Sequence, residues 1–532
     1  MEPQSVRDED RKDRVEELVK EQEVHRTGDQ EGPFSIHILG LGRTGASVIE
    51  QLLSSPPDGF LEDARTRFSA LAVDIGDGDL KPVREAEDRA RLPEERAQVR
   101  TVDLGVPGKD DFFASLRRYR EYLKIEYPRY YWNPNYEPWL PEDLEMPAVD
   151  EHIPRAVAKG IYNREYYEDG PIAEELDAFA RSINASKTVP IIFVVFSLAG
   201  GTGSGIAVDM VRHLASIKLG RRHIVVGVGV LPSEGDPAQT RDGVLFPVIN
   251  ELDCMLDDEK NQGVQAVWGD LYKNPFTGGF FVVPQDGILD LTGDVSATHE
   301  YVDEGIASFI AQENGLHIYE TLKLLNYLNS PTDRRHPATR APIGERWVNM
   351  LLPHKFADAE NISASLGRVA DGVQPEYVEA RAFAPAGAFD EAGAKEIEGQ
   401  ITSAVTSLVE PGVVHFDVEN GSFIHVSVPR LTKLDIPGFS AARDAYDRMS
   451  WDEKLLAHSW LLDLGTMLSE PSTRFEGMAG ECIWGCACWV VVPYEALRGD
   501  AQTSEHRLDA TQNFIAGALG TVVEIPDLTT SR

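Results

Sequence analysis

The chain has 532 residues, 42% of them hydrophobic and 8% aromatic, which excludes global disorder and implies two or more domains with a sizeable core. Its 87 acidic against 51 basic residues give a formal net charge of −36, a surface that repels nucleic acid and anionic membrane. Four cysteines make no disulfide framework, and Met1 is followed by charge rather than an apolar run. No stretch reaches the roughly 18 apolar residues of a spanning helix, so a cytoplasmic protein is expected. The acidity, with lysine scarce relative to arginine, fits a halophile's surface; a merely acidic mesophilic protein fits it too.

Residues 1–33 are dense in charge and end in Gly32-Pro33, which reads as a tail or solvated helix with Val15, Leu18 and Val19 as a narrow stripe. Ser35 to Leu39 then reads as a short buried strand, followed by a glycine turn and helical periodicity from Ala46 to Leu53. A second strand, Phe68 to Val73, ends at Asp74. Strand, glycine turn, helix and strand open a parallel, Rossmann-like α/β sheet.

Residues 107–187 read as an insertion, whose stretch from Tyr119 to Trp139 carries Tyr122, Tyr127, Tyr130, Tyr131, Trp132 and Tyr136. Such aromatics either pack an irregular insertion onto the core or offer a ligand or partner surface. The α/β pattern resumes at Val189 to Phe196, then a second glycine loop, then a helix from Ile206 with Ile206, Ala207, Met210, Val211 and Leu214 on one face. Strands follow at Ile224 to Leu231 and Gly279 to Val283, and a long helical stretch runs from about Ala297 to Leu328. Beyond about residue 345, Val413 to Val418, Phe423 to Val428 and Cys482 to Val492 read as strands between helical segments. The expected organisation is a nucleotide-binding domain over 34–330, an α+β domain over 345–525 and a tail at 526–532.

The first glycine turn, Gly40-Leu41-Gly42-Arg43-Thr44-Gly45, fits a dinucleotide fingerprint, because it follows a strand and opens a helix whose amides can meet phosphate. The acid after the second strand, Asp74, lies 29 positions beyond Gly45, where that fingerprint expects about 20. A hydride-transfer enzyme therefore stays open on this loop alone, while the absence of a Gly-x-x-x-x-Gly-Lys-Ser/Thr run excludes a P-loop NTPase. The second loop is Ala199-Gly200-Gly201-Thr202-Gly203-Ser204-Gly205. Its glycines uncover backbone N–H groups as an anion site, with the Thr202 and Ser204 hydroxyls as further donors.

Ser197 to Gly205 closely resembles the signature loop of the tubulin/FtsZ superfamily, whose core is Gly-Gly-Gly-Thr-Gly-Ser/Thr-Gly; Ala199 replaces its first glycine. Gly40 to Gly45 resembles the same superfamily's first phosphate loop, with Arg43 and Thr44 standing where tubulins have Gln-Cys; an arginine there pairs directly with phosphate. The resemblance implies a GTP or GDP site with Mg2+ at the phosphates. In it Asp74 lies near phosphate and magnesium, Glu234 contacts ribose, and Gln285 replaces a nucleotide-recognising asparagine. His299 stacks on the purine, and Asp303 accepts N1–H and the 2-amino group of guanine, a pair adenine cannot offer.

The acidic loop with which a second subunit activates water in FtsZ filaments has no match here. Ser330 to Arg346 is rich in arginine and proline, Asn349 has no acid two residues on, and Asp358 and Glu360 come late. The resemblance thus implies GTP binding with at most weak GTPase activity, and a divergent FtsZ-like protein of archaea or bacteria, with self-association and a cytoskeletal or membrane-remodelling role. A GTP-binding switch or scaffold that does not polymerise is the alternative, and a Rossmann-type oxidoreductase is the alternative of another class. Cys482, Cys486 and Cys488 share parity and read as buried strand residues before they read as a zinc site, and no Gly-x-Ser-x-Gly elbow occurs.

Overall fold

Strands that are apolar on both faces, alternating with amphipathic helices, leave one economical arrangement: a parallel sheet with helices on each side. A computed structural model describes residues 33–57, 59–126, 140–141, 143–149, 151–168, 170–241, 244–256, 273–311, 347–353, 379–382, 423–434, 439–457 and 484–493. Its first six strands are β1 (Ser35–Leu41), β2 (Phe68–Asp74), β3 (Ala97–Asp103), β4 (Pro190–Ser197), β5 (Ile224–Val230) and β6 (Gly279–Val283). They lie in the order β3-β2-β1-β4-β5-β6, all parallel, which is the doubly wound Rossmann order. The helices before β6 are α1 (Gly42–Ser54), α2 (Lys81–Ala90), α3 (Lys109–Glu126), α4 (Arg155–Tyr167), α5 (Pro171–Asn184), α6 (Gly201–Arg212), α7 (Ala238–Arg241) and α8 (Leu245–Leu256). After it come α9 (Asp286–Thr292), α10 (Val295–Ala311), α11 (Phe439–Arg448) and α12 (Trp451–Ala457).

Period-two alternation divides the sheet's side chains between two cores. Ile36, Ile38, Ala70, Ala72, Phe193, Val195, Val226 and Val228 face a layer of α1, α2 and α10, where Val48, Ile49, Leu52, Val302 and Ile306 are buried. The opposite layer holds α4, α5 and α6, with α4 packed on α6 and α5 on β2 and β3. A π-helical segment, His213–Lys218, continues α6, and stacked on its His213 is Tyr166 of α4, ring centroids 3.7 Å apart.

Four local expectations change. The α1 helix starts at Gly42 rather than Ala46, and α6 at Gly201 rather than Ile206, because tertiary contact overrides the low helix propensity of glycine. The region 107–187 carries three helices that belong to the second layer rather than an irregular insertion. Its Tyr119 is buried and Tyr122 stacks on Tyr167 at 5.0 Å, while Tyr127, Tyr130, Tyr131, Trp132 and Tyr136 lie outside the described residues. Asn349 sits inside a strand, paired with Phe281 on one side and Ala487 on the other, and so is not a loop residue.

That strand is β7 (Trp347–Pro353), and through it the sheet runs on into β10 (Trp484–Pro493), β9 (Phe423–Leu434) and β8 (Glu379–Ala382). β7 and β10 are parallel, β9 and β8 antiparallel to their neighbours. Cys486 and Cys488 oppose Val348 and Met350, whereas Cys482, Val413 to Val418, Asp358, Glu360 and the stretch 312–346 lie outside the described residues. The helices α11 and α12 return across the second layer, α11 on α8 and α12 on α4, with the Phe246 and Tyr446 rings 4.8 Å apart. Among the described residues no helix is long and apolar enough to cross a membrane.

Candidate functional site

Strand order reverses between β1 and β4, and the crevice beyond the carboxyl ends of strands at such a point is where open α/β sheets receive ligands. The register brings the carboxyl ends together: Leu41 pairs with Val73 and Phe196, Ser197 with Val230, and Val230 with Val283. All the loops singled out in the sequence leave this one edge.

At the switch point strand passes into helix with no intervening loop. Gly42 takes φ +68°, a conformation that strains any side chain, and turns β1 into α1 in one residue. A Cβ on Gly42 would stand 3.1 Å from the Gly203 nitrogen, so the two glycine runs touch. Gly40 and Gly45 meet backbone to backbone, and a Cβ on Gly45 would also reach 2.5 Å from the Val195 carbonyl. In the second run, Gly203 faces the Leu41 carbonyl, Gly205 the Arg155 carbonyl and Gly201 the Ile153 carbonyl. These glycines serve close packing.

The donors are redistributed too. Ser197 Oγ accepts from the Ala199 and Gly200 amides (3.2 and 3.1 Å), so of the N–H groups expected to form an anion cradle those left are in the first turn of α6, where a helix provides no intrahelical acceptor. Ser204 does not extend that cradle, since its hydroxyl donates to the Gly200 carbonyl. The Thr202 hydroxyl bonds to Asp74. Asp74 itself is buried, with Oδ1 accepting from the Ile75 amide at 2.7 Å. Burial pushes its carboxyl up to about 6; the Ile75 and Thr202 bonds oppose this, and the neighbouring Asp79 and Asp103 charges add to it. Arg43 is exposed at the first turn of α1 and Thr44 half-buried beside it.

The other end of the edge is knitted by side chains. Gln285 is buried and donates from Nε2 to the Leu231 carbonyl at 2.6 Å, tying the loop after β6 to the loop after β5. Asp286 accepts the Glu234 amide at 2.7 Å, which leaves the Glu234 side chain on an exposed residue at the loop's tip. His299 Nε2 stands 3.0 Å from Asp236 Oδ1, so its ring has a partner of its own rather than an open stacking face alone. Burial raises the Asp236 carboxyl, but the bonds from His299 and Ser233 outweigh it and hold the group below its ordinary value. Asp303 is 6% exposed where α10 packs on α1, hydrogen-bonded to Ser47. Burial lifts its carboxyl to about 7, against the pull of Ser47, His299 and Arg43 and with the push of Glu50.

Residues 38–246 match a protein-family model described as "Tubulin like". No curated protein matches the chain. Among solved structures, CetZ from Methanosaeta thermophila strain DSM 6194 is 13% identical over 73% of this chain and 84% of its own, with a TM-score of 0.36. The C-terminally truncated TubZ of Clostridium botulinum phage c-st is 14% identical over 72% of this chain and 86% of its own, with a TM-score of 0.31.

Both glycine runs and Asp74 fall inside the tubulin-like segment, whereas Glu234 lies near its end and Gln285, His299 and Asp303 lie beyond it. The segment also holds charged residues that sequence reasoning missed. Arg155 pairs at 2.7 Å with Glu251, which lies just beyond the segment, and both are buried. One helical turn on, Lys159 pairs with Asp209, whose other oxygen is 3.2 Å from Arg212. The signal available was a charge at i and i+4 within the small, apolar run Arg155-Ala156-Val157-Ala158-Lys159-Gly160-Ile161, a face that no solvated helix needs. The described residues contain no cluster of three or more metal-ligating side chains.

Proposed function

We propose that this carboxyl edge binds a guanine nucleotide, GTP or GDP, and that the chain is a tubulin/FtsZ-like cytoskeletal protein that self-associates. The observation that carries the reading is the meeting of the two glycine runs at the switch point, Gly42 against Gly203, with Asp74 bonded to Thr202 beside them. Two helix N-termini then aim amides and positive dipole ends at one place, which suits a polyphosphate. Arg43 adds a cation at its rim. Magnesium bound with a nucleotide takes most of its oxygens from phosphate and water and one or two from carboxylates, a demand Asp74 fits.

The base lies toward Asp303, where a buried carboxyl held near neutrality gains from two N–H donors on one ligand edge. Guanine offers that pair, and Glu234 lies on the ribose side. The hydride-transfer reading loses ground because the Asp74 carboxyl is engaged by the Ile75 amide and the Thr202 hydroxyl of the second glycine run, and because it lies 29 rather than about 20 positions beyond Gly45. A surface of net charge −36 suits a saline cytoplasm.

Titration of purified protein with GTP, ATP and NADH, at high salt with magnesium, tests the reading. GTP binds more tightly than ATP, and Asp303→Ala erases that preference; binding of NADH with no affinity for GTP overturns it. Light scattering under the same conditions rises with GTP if the chain self-associates, and a flat trace leaves the non-polymerising switch.

A further inference from the structure

Directly behind the second glycine run lies a buried charge that nucleotide binding does not use. Arg155, the first residue of α4, is 2% exposed, and its partner Glu251 on α8 is 1% exposed. The guanidinium donates from Nε to Ser204 Oγ (3.0 Å), from Nη2 to the Ser204 carbonyl (3.0 Å) and Glu251 Oε2 (2.7 Å), and from Nη1 to the Ala457 carbonyl (2.8 Å). A cation beside the first turn of a helix is opposed by the helix dipole, and a buried guanidinium is opposed by desolvation. The arrangement stands because Glu251 neutralises the charge and three further oxygens accept hydrogen bonds from its N–H groups.

Those oxygens belong to two distant places. Ser204 accepts from Arg155 and passes the constraint on by donating to the Gly200 carbonyl, so the guanidinium fixes the peptide that enters the cradle. Ala457 belongs to α12, and its carbonyl accepts from Arg155 Nη1. One planar group therefore touches the first turn of α6, α8 and α12 together.

We propose that Arg155 is a positioning residue for the cradle and couples the first turn of α6 to the docking of α12, so that each favours the other. The part concerning ligand rests on the nucleotide reading above; the positioning itself does not. Linkage makes the coupling reciprocal: phosphate held at α6 tightens α12, and an undocked α12 weakens phosphate binding by the same factor.

Amide hydrogen exchange on the full chain, with and without GTP, compares the wild type with Arg155→Lys, Glu251→Gln and the control Lys159→Met. The control breaks the neighbouring α4–α6 ion pair without touching Ser204. Without nucleotide, Arg155→Lys and Glu251→Gln speed exchange at both 200–205 and 451–457, and Lys159→Met does not. With GTP, the wild type gains protection at 451–457, and this gain is lost in Arg155→Lys, whose GTP affinity falls about tenfold. Unchanged exchange at 200–205 in both pair variants, or an equal response in the control, overturns the proposal. If the wild type binds no nucleotide, the functional reading fails, and the ligand-free comparison still decides the positioning. Should Arg155→Lys fail to fold, Glu251→Gln, which keeps an acceptor at the same place, carries the test.

Discussion

At one end of the site backbone meets backbone: Gly40 on Gly45, Gly42 on Gly203, and Gly203 on the Leu41 carbonyl. At the other end side chain meets side chain or carbonyl: Gln285 on Leu231, His299 on Asp236, Asp303 on Ser47. The first end is fixed by what cannot fit, since a Cβ at Gly40, Gly45 or Gly203 collides and one at Gly42 is crowded and strained by its positive φ, and the interior has no slack to absorb it. The second is fixed by what must be paired, since buried polar groups without partners are costly. Substitutions at the glycine end should therefore cost stability before they report on ligand. Substitutions at the base end should change ligand preference and pH dependence at a smaller cost.

The largest effect expected is at Gly45. Gly45→Ala drives a methyl into the Gly40 backbone and the Val195 carbonyl and should lower unfolding free energy by about 3 kcal/mol. Gly105→Ala, where a Cβ meets nothing within 4 Å, is the neutral reference. Equal urea midpoints for the two variants would break the comparison at its stronger end.

Asp303 comes next. Its folded carboxyl is raised from 3.8 to about 7, so the native state holds a proton that the unfolded chain releases between those values. Its contribution is fully present below about pH 4, is lost as pH rises toward 7, and is flat above. Asp303→Asn removes this slope and should raise stability at pH 8 by about 2 kcal/mol while abolishing guanine preference. Two N–H donors favour the carboxylate, so wild-type GTP affinity should rise as pH climbs through about 7. Denaturation and titration across pH 5–8 check both signs.

Gln285→Ala leaves the Leu231 carbonyl without its donor and should cost about 1 kcal/mol. His299→Ala removes a part-exposed pair and should cost less than about 1 kcal/mol. A large loss of GTP affinity in His299→Ala, with stability intact, would show the ring stacking on the base; no loss would assign it to Asp236 alone.

The fold was legible because β1, β4 and β5 are apolar runs bounded by glycine, and such runs form a parallel core in few other ways. The loops were legible because glycine at Gly42 and Gly203 answers a steric demand that no other residue meets. The starts of α1 and α6 were not, since local propensity disfavours a helix that begins in glycine and close packing decides otherwise. Within 107–187 the helix α4 was not legible, because it is buried over most of its surface and lacks the one-sided stripe that announces a helix. The hydroxyls of Thr202 and Ser204 look like free donors in one dimension; only packing shows them bonded to Asp74 and to the Gly200 carbonyl. Arg155 was invisible for a related reason, because its partners lie 49, 96 and 302 positions away.

That last separation bears on how the protein is made. A chain emerging from the ribosome has β1, both glycine runs and Asp74 in hand well before Ala457 is synthesised. Domains fold during synthesis from the N-terminal side, while contacts between residues far apart in the chain form last. The Arg155–Glu251 pair can close early, but the bond to the Ala457 carbonyl waits until about six-sevenths of the 532 residues exist. The first turn of α6 would thus be assembled in outline early in translation and locked near its end.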